Sequence, residues 1–453
     1  MYTNTENKRK FSSIVTEVPG KKSLEIFEEE QKYIAPGTQT IATLSQIVVK
    51  KGEGAIIEDV DGNRYIDFFA GVGVASLGYN HPKYVKMMQE QVSRIHVGSF
   101  TSENRAKLSK LLASIAVGDL CRTQFYSSGA EAVEAALRLA KSYTRKTEFI
   151  GFWNGFHGKT AGVLGLLGDT FKNEMGPLPA GRYLTPYADC RHCPFNNSLP
   201  GCKFACIDFI RNKVRYETTN NVAAIIVEPI QGTAGNIVPP PGFLQGLKDL
   251  AHEIGALLIA DEMITGFGRT GKMFGVQHEG VVPDIMTIGK GFGGGFPMTG
   301  LMSRDEIINA KPFANPSGSS SSYGGNPLAS TGAYAAISTI LEEGLVENSA
   351  RVGAFMIERL KKMQEKFPFI GEVRGRGLMI GVELVKNRDT KEKLDKETAK
   401  IIFKECLKRG LITMGYNPNI RINPPLVISE EVAEEGLEIM EEVFTDVADR
   451  INI

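Results

Sequence analysis

A few stretches constrain the fold more than anything else in the chain: "TQFYSSG" before "AEAVEAALRLAKSY", "VAAIIVEPI" before "GFLQGLKDLAHEIG", then "ALLIADE" and "PDIMTIGKG". The short apolar runs do not alternate with polar residues, so both faces of each strand must be buried. Helical stretches between them supply the cover. This β–α alternation implies a mostly parallel sheet with helices on both faces, an α/β architecture. We assign it to a large domain over residues 61–330. Residues 331–453 change texture, to the amphipathic "LEEGLVENSARVGAFMIERLKKMQEKFP" and the short strands "GEVRGRGLMIGVEL" and "IRINPPLVIS", and read as a smaller α+β domain. The segment 1–60 is expected to contribute to that smaller domain. It carries a charged helix over Ser23–Tyr33 and strand-like "QIVVKKGEGAIIEDVDGNRYIDF", in which Asp61-Gly62-Asn63 supplies a hairpin turn.

At 453 residues the chain is long enough for more than one domain. Lysine plus arginine equal aspartate plus glutamate at 52 each, which removes any bulk electrostatic reason for a nucleic acid or anionic membrane partner. The start, "MYTNTENKRKFSSIVTEVPGKK", is polar, and no apolar run approaches the roughly 18 residues of a membrane span. A cytoplasmic protein is expected. Six cysteines are too few for a disulfide scaffold in so long a chain. Four cluster in "CRHCPFNNSLPGCKFAC", as Cys190, Cys193, Cys202 and Cys206. That spacing fits either a thiolate metal site or a loop insertion with reduced thiols, some packed as small apolar groups. Since the second pair is not C-x2-C and nothing in the sequence places the four together, the metal-free reading is preferred.

In open parallel sheets ligands bind outside the carboxyl ends of the strands. Asp261 closes "ALLIAD", Glu228 closes "AAIIVE" and Lys290 follows "DIMTIG". Ser128, Gly129 and Ala130 open a helix just after "TQFY" and form a ready anion site. Together these features fit pyridoxal 5′-phosphate, which needs a lysine amine for a Schiff base, a carboxylate beside its pyridine nitrogen and a site for its phosphate. A lone lysine is usually solvated, but Lys290 sits between an apolar strand and a glycine cluster, "GKGFGGG". Asp261 could otherwise be a helix cap or a surface ion pair; its place behind five apolar residues tells against free solvation. "GKGFGGG" lacks the order of a P-loop, and no G-x-G-x-x-G follows the first strand of a clear βαβ unit, so a nucleotide-binding reading is disfavoured.

From about residue 45 to the C-terminus the chain resembles the class III aminotransferases, the pyridoxal-phosphate family containing 4-aminobutyrate, ornithine and acetylornithine aminotransferases. The segment that carries this most specifically is "LLIADEMITGFGRTGKMFGVQHEGVVPDIMTIGKGFGGGFP". The resemblance implies a fold-type I transferase, a homodimer with active sites at the interface, and Lys290 as the Schiff-base lysine. It also implies that Phe156 in "GFHGKT" stacks on the cofactor ring, Asp261 pairs with its nitrogen and Gln231 in "VEPIQG" lies by the phenolic oxygen. Glu228 joins the cofactor-binding set. Ser322 in "SSYGGNP" occupies the place of a hydroxyl that reaches the partner subunit's phosphate, although composition alone would make "NPSGSSSSYGGNP" a flexible linker.

The departures from the family pattern bear on substrate. Arg421 in "NIRINPPL" matches the arginine for the substrate α-carboxylate. The glutamate that gates this arginine in the ornithine and 4-aminobutyrate enzymes is here Thr233. The arginine for the distal carboxylate of glutamate is Lys159, which keeps the charge and loses the bidentate fork. Val72 replaces the ornithine-binding tyrosine, and with Val74 and Phe69 it suggests an apolar wall. The expected reaction is ping-pong transfer of an amino group from a β- or ω-amino acid or derivative to 2-oxoglutarate. The chain also resembles the β-aminoacyl-CoA aminotransferases, which would make the donor a thioester such as 3-aminobutyryl-CoA. An amino-acid racemase or epimerase on the same scaffold is the alternative.

Overall fold

The computed structural model describes residues 9–196 and 199–451; the first eight residues of the polar start lie outside it. Two compact units are present, Pro82–Glu347 and a second made of Met1–His81 with Asn348–Ile453.

The larger unit is built on a seven-stranded sheet. Its order is Arg122–Tyr126, Thr299–Ser303, Ile285–Ile288, Leu257–Asp261, Val222–Val227, Glu148–Phe152 and Arg182–Thr185. Thr299–Ser303 runs antiparallel to both neighbours, and the remaining pairings are parallel. The expected mostly parallel sheet is therefore present. Every residue of Val222–Val227, Leu257–Asp261 and Ile285–Ile288 is buried, as strands covered on both faces require. The helix Phe243–Glu253 buries Phe243, Leu244, Leu247, Leu250 and Ala251, a spacing that lays one stripe on the sheet. The helix Gly129–Thr144 buries Ala132, Ala135, Ala136 and Ala140 fully, alongside Val133, Leu137 and Leu139.

In the second unit, Val49–Glu53, Ile56–Asp59 and Arg64–Asp67 form an antiparallel meander, and Leu411–Ile412 adds to it in parallel with Leu411 opposite Ile66. N-terminal and C-terminal segments thus share one sheet. The hairpin turn falls at Asp61-Gly62-Asn63, where the Asp59 amide donates to the Asn63 carbonyl at 3.0 Å. The N-terminal helix spans Lys21–Gln31, two residues earlier than Ser23–Tyr33. Its start is set by a distant residue: Asp61 accepts from the Lys22 and Ser23 amides, each at 2.9 Å, where the N-cap position, Gly20, has no side chain to do so. Among the described residues no helix is long and apolar enough to cross a membrane.

Leu247 is fully buried and Gln245 exposed on the same helix. Leu247→Ala should cost about 2–5 kcal/mol in urea unfolding, and Gln245→Ala less than about 0.5 kcal/mol. Equal effects would contradict the assigned face.

Candidate active site

Parallel strands carry their carboxyl ends to one edge of the sheet, and Asp261, Glu228, Lys290 and Ser128 follow or end strands at that edge. Asp261 is the last residue of its strand and only 2 % exposed. Its Oδ1 accepts from Thr287 Oγ1 at 3.0 Å and from the Met263 amide at 3.2 Å. Its Oδ2 lies 2.6 Å from Nδ1 of His157, which is 3 % exposed. Burial opposes the charged imidazole, yet the hydrogen bond to Asp261 and the charges of Asp261 and Glu228 hold His157 above its ordinary pKa. His157 thus holds its proton more tightly than a free imidazole does.

Glu228 closes the neighbouring strand and is 6 % exposed. Oε1 accepts from the Phe156 amide and Oε2 from the Gly232 amide, both at 2.9 Å. Burial pushes its carboxyl above the usual range, with His157 acting the other way. Gln231 donates from Nε2 to the Trp153 carbonyl at 2.9 Å. Glu228 and Gln231 therefore pin the loop 153–158, which carries half-buried Phe156 and buried His157. That loop also lies against the helix start. A Cβ on Gly158, which has φ +119°, would come within 2.5 Å of the Ala130 Cβ, so only glycine permits the approach.

Ser128 is the N-cap of the helix Gly129–Thr144, its hydroxyl accepting from the Glu131 amide at 3.3 Å. Thr299 Oγ1 donates to the Ser128 carbonyl at 2.9 Å, tying the helix start to the sheet. The amides of Gly129 and Ala130 face outward from a helix N-terminus, where the macrodipole favours an anion. Lys290 is half-buried and takes φ +46°, a left-handed conformation uncommon for a lysine. Such strain persists only where surrounding packing fixes it. Behind it, a Cβ on Gly289 would collide with the Met263 sulfur, which is also in van der Waals range of a Cβ at Gly129. Met263 thus links the Lys290 segment, the Asp261 strand end and the helix start.

Lys159 is exposed, with Nζ 4.3 Å from the Phe171 ring centroid and 6.0 Å from that of Phe156. Thr233 is half-buried in the turn after Gln231. Ser322 is exposed on a turn whose backbone at Gly324 lies against the Phe125 carbonyl. The Gly/Ser stretch is folded rather than featureless: Ser319 is 7 % exposed and bonded to Tyr126 Oη at 2.5 Å.

Val72 and Arg421 belong to the second unit. Val72 sits in a run of left-handed residues, Ala70 to Gly73, at φ +67°. For a β-branched side chain that conformation is an outlier. Phe69 and Gly71 line an apolar cavity of about 470 Å³ within the unit. Arg421 is half-buried on Asn419–Ile422, opposite Gly381 in the adjacent strand.

His157, Thr287 and Met263 escaped the sequence reading. His157 stood in plain view, between Phe156 and Gly158 in "GFHGKT", but its partner lies 104 residues away.

A buried carboxylate backed by a histidine, a strained lysine and a helix start at one strand edge fit a pyridoxal 5′-phosphate site. The comparisons agree. The sequence pattern of the family described as aminotransferase class III matches residues 38–444, and this chain belongs to that pyridoxal-phosphate-dependent family. It is 38 % identical over 413 residues to the leucine/methionine racemase of Thermococcus litoralis, covering 89 % of this chain and 92 % of that one. It is 40 % identical to an acetylornithine aminotransferase of Methanopyrus kandleri, covering 86 % and 92 %. A 4-aminobutyrate aminotransferase of Mycobacterium leprae is 35 % identical, covering 98 % and 100 %. An (S)-enantioselective omega-transaminase of Thermomicrobium roseum superposes with a TM-score of 0.87 at 31 % identity, covering 93 % and 98 %. The chain is thus an aminotransferase by family and fold.

His157 and Glu228 both bind protons more tightly in the folded chain than their ordinary values of 6.5 and 4.5 imply. Their contribution to stability is full below those values and is lost as pH rises through the folded ones. Stability of the cofactor-free protein should therefore fall with rising pH above 6.5 more steeply than in His157→Gln, as read by urea midpoints. Identical slopes would remove the imidazole from the account.

Proposed function

We propose that the chain transfers an amino group from a β- or ω-amino acid, or a derivative such as a 3-aminoacyl-CoA, to 2-oxoglutarate, with Lys290 as the lysine that carries the cofactor. The observation that carries this reading is that strained, half-buried Lys290 and buried Asp261 follow or end adjacent parallel strands, at the same edge of the sheet. When bound, pyridoxal 5′-phosphate supplies an electron sink for the bond that ionises at the amine-bearing carbon.

Asp261 Oδ2 has a second lone pair beside the one facing His157, and in this reading it holds the proton on the pyridine nitrogen. His157, which holds its proton more tightly than usual, orients that carboxylate through Oδ2. The amides of Gly129 and Ala130, with the Ser128 hydroxyl, hold the phosphate. Phe156 flanks the ring, Gln231 lies by the phenolic oxygen, and Glu228 fixes the loop that bears Phe156. Lys290 Nζ would move a proton from the donor's amine-bearing carbon to the cofactor, and one from the cofactor to the oxo-acid carbon in the second half-reaction. Arg421 supplies a planar fork for the substrate carboxylate. Lys159 supplies the charge for the second carboxylate of 2-oxoglutarate, in competition with the Phe171 ring. In the same reading the working unit is a homodimer, with Ser322 serving the partner's phosphate.

Thr233 in place of a gating glutamate and Val72 in place of a tyrosine support the donor class. An ornithine ammonium would be left without a partner at Val72, and a buried unpaired charge costs several kcal/mol.

Racemisation has an observation of its own, the similarity to the T. litoralis enzyme. It would use Lys290 on one face of the amine-bearing carbon, need a second base on the other, and consume no oxo acid.

Borohydride reduction of the holoenzyme should fix the cofactor to the peptide containing Lys290, and Lys290→Ala should lower turnover by roughly 10²–10⁴-fold. Single half-reactions, read by loss of the cofactor's visible band, should be fast with 4-aminobutyrate, β-alanine, 3-aminobutyrate or its coenzyme A thioester and slow with ornithine. Fastest reaction with ornithine would sink the pocket argument. Interconversion of alanine, leucine or methionine enantiomers without an oxo acid would establish the racemase reading instead.

Lys159→Gln should raise KM for 2-oxoglutarate by about fivefold, the effect of ~1 kcal/mol at an exposed ion pair, with KM for the donor unchanged. An unaltered acceptor KM would remove Lys159 from that role.

A further inference from the structure

The four-cysteine loop is a motif that amino transfer leaves unused. The sequence gives no reason for its thiols to share a neighbourhood, but in the fold all four border one cavity. Cys190, Cys193, Cys202 and Cys206 all line one cavity of about 20 Å³, room for little more than a single water-sized sphere. Phe195 and Phe204 complete much of its wall. No disulfide joins any of the cysteines.

Packing as small apolar groups does not account for this arrangement. Cys406 fits that role, being fully buried. Cys190, by contrast, is exposed, and the other three are half-buried. Each pair is presented by a hydrogen-bonded turn. The Asn196 amide donates to the Cys193 carbonyl at 3.1 Å, and the Ala205 amide to the Cys202 carbonyl at 3.0 Å. Cys206 lies in the first turn of the helix Ala205–Glu217. Burial, reinforced by the nearby Cys190 and Cys202, pushes its thiol up to about 11.

We propose that Cys190, Cys193, Cys202 and Cys206 form a structural zinc site, one ion per chain, that staples the loop between the strand Arg182–Thr185 and the helix Ala205–Glu217. Both spacings, C-x2-C and C-x3-C, fall in the two-to-four-residue range of structural zinc sites. Four soft thiolates suit a closed tetrahedral site with no position for a reacting water. As placed, no group of three or more His, Cys, Asp or Glu side chains among the described residues is set to hold a metal. The sulfurs must therefore draw together around the ion, releasing thiol protons as they do. All four already border the same cavity. This site is independent of the amino-transfer reading and stands or falls without it.

The test uses holoenzyme made in zinc-supplemented medium and purified without chelator or a metal-affinity tag. Elemental analysis should find one zinc per chain. Stripping with a strong chelator should release it and expose four additional thiols to a disulfide reagent, and added zinc should mask them again. Cys202→Ser should lose the zinc while keeping the visible band of the bound cofactor. Wild-type protein without zinc, iron with labile sulfide in its place, or zinc undiminished in Cys202→Ser would each overturn the proposal. Should Cys202→Ser fail to fold, the thiol count on wild-type protein decides alone.

Discussion

The chemistry of the larger unit depends on the register of parallel strands around Leu257–Asp261. Asp261 stands opposite Thr287, and Ala260 opposite Val227. Because side chains alternate between the faces of a sheet, a slip of one residue would send Asp261 to the other face and separate it from Thr287. The apolar residues that fill both faces fix this register. Core packing therefore sets the direction in which one carboxylate points.

That carboxylate is costly to bury, and its surroundings show how the cost is offset. Asp261 receives a hydroxyl, an amide and an imidazole, and Glu228 receives two amides. Buried charges tolerated in this way have little freedom to reorient. The loop 153–158 gains its position from the same bonds, so holding the charge and shaping the site are one set of contacts. A catalytic constellation needs its supporting groups held as firmly as the reacting ones. Met263 does this twice over, its amide donating to Asp261 and its side chain packing between Gly289 and Gly129.

Much of this was legible in the sequence because it was local. Continuous apolar runs marked the buried strands, and a polar residue directly after such a run marked a strand end. What escaped depended on distance along the chain. His157 matters through Asp261, and the start of the first helix is set by Asp61 rather than by its own cap. Composition misdirected in one place: "NPSGSSSSYGGNP" has linker chemistry, yet Ser319 is buried against Tyr126. The cysteine loop was ambiguous for the same reason, since spacing fixes separations along the chain and only the fold brings the two pairs to one cavity.

Val72 shows how backbone and specificity become entangled. Its side chain was read as part of a substrate wall, while its φ of +67° lies where β-branched residues are disfavoured. A residue there is weighed twice, once for the surface it presents and once for the conformation it must hold. Glycine would relax the chain and remove the side chain, and a tyrosine would bring a hydroxyl at the expense of the same strain. If Val72 lines the substrate as proposed, changes of substrate preference at this position would travel with changes in thermal tolerance. Selection for either property alone would drag the other with it, and a lineage drifting through this site would find its routes narrowed by folding before chemistry had any say.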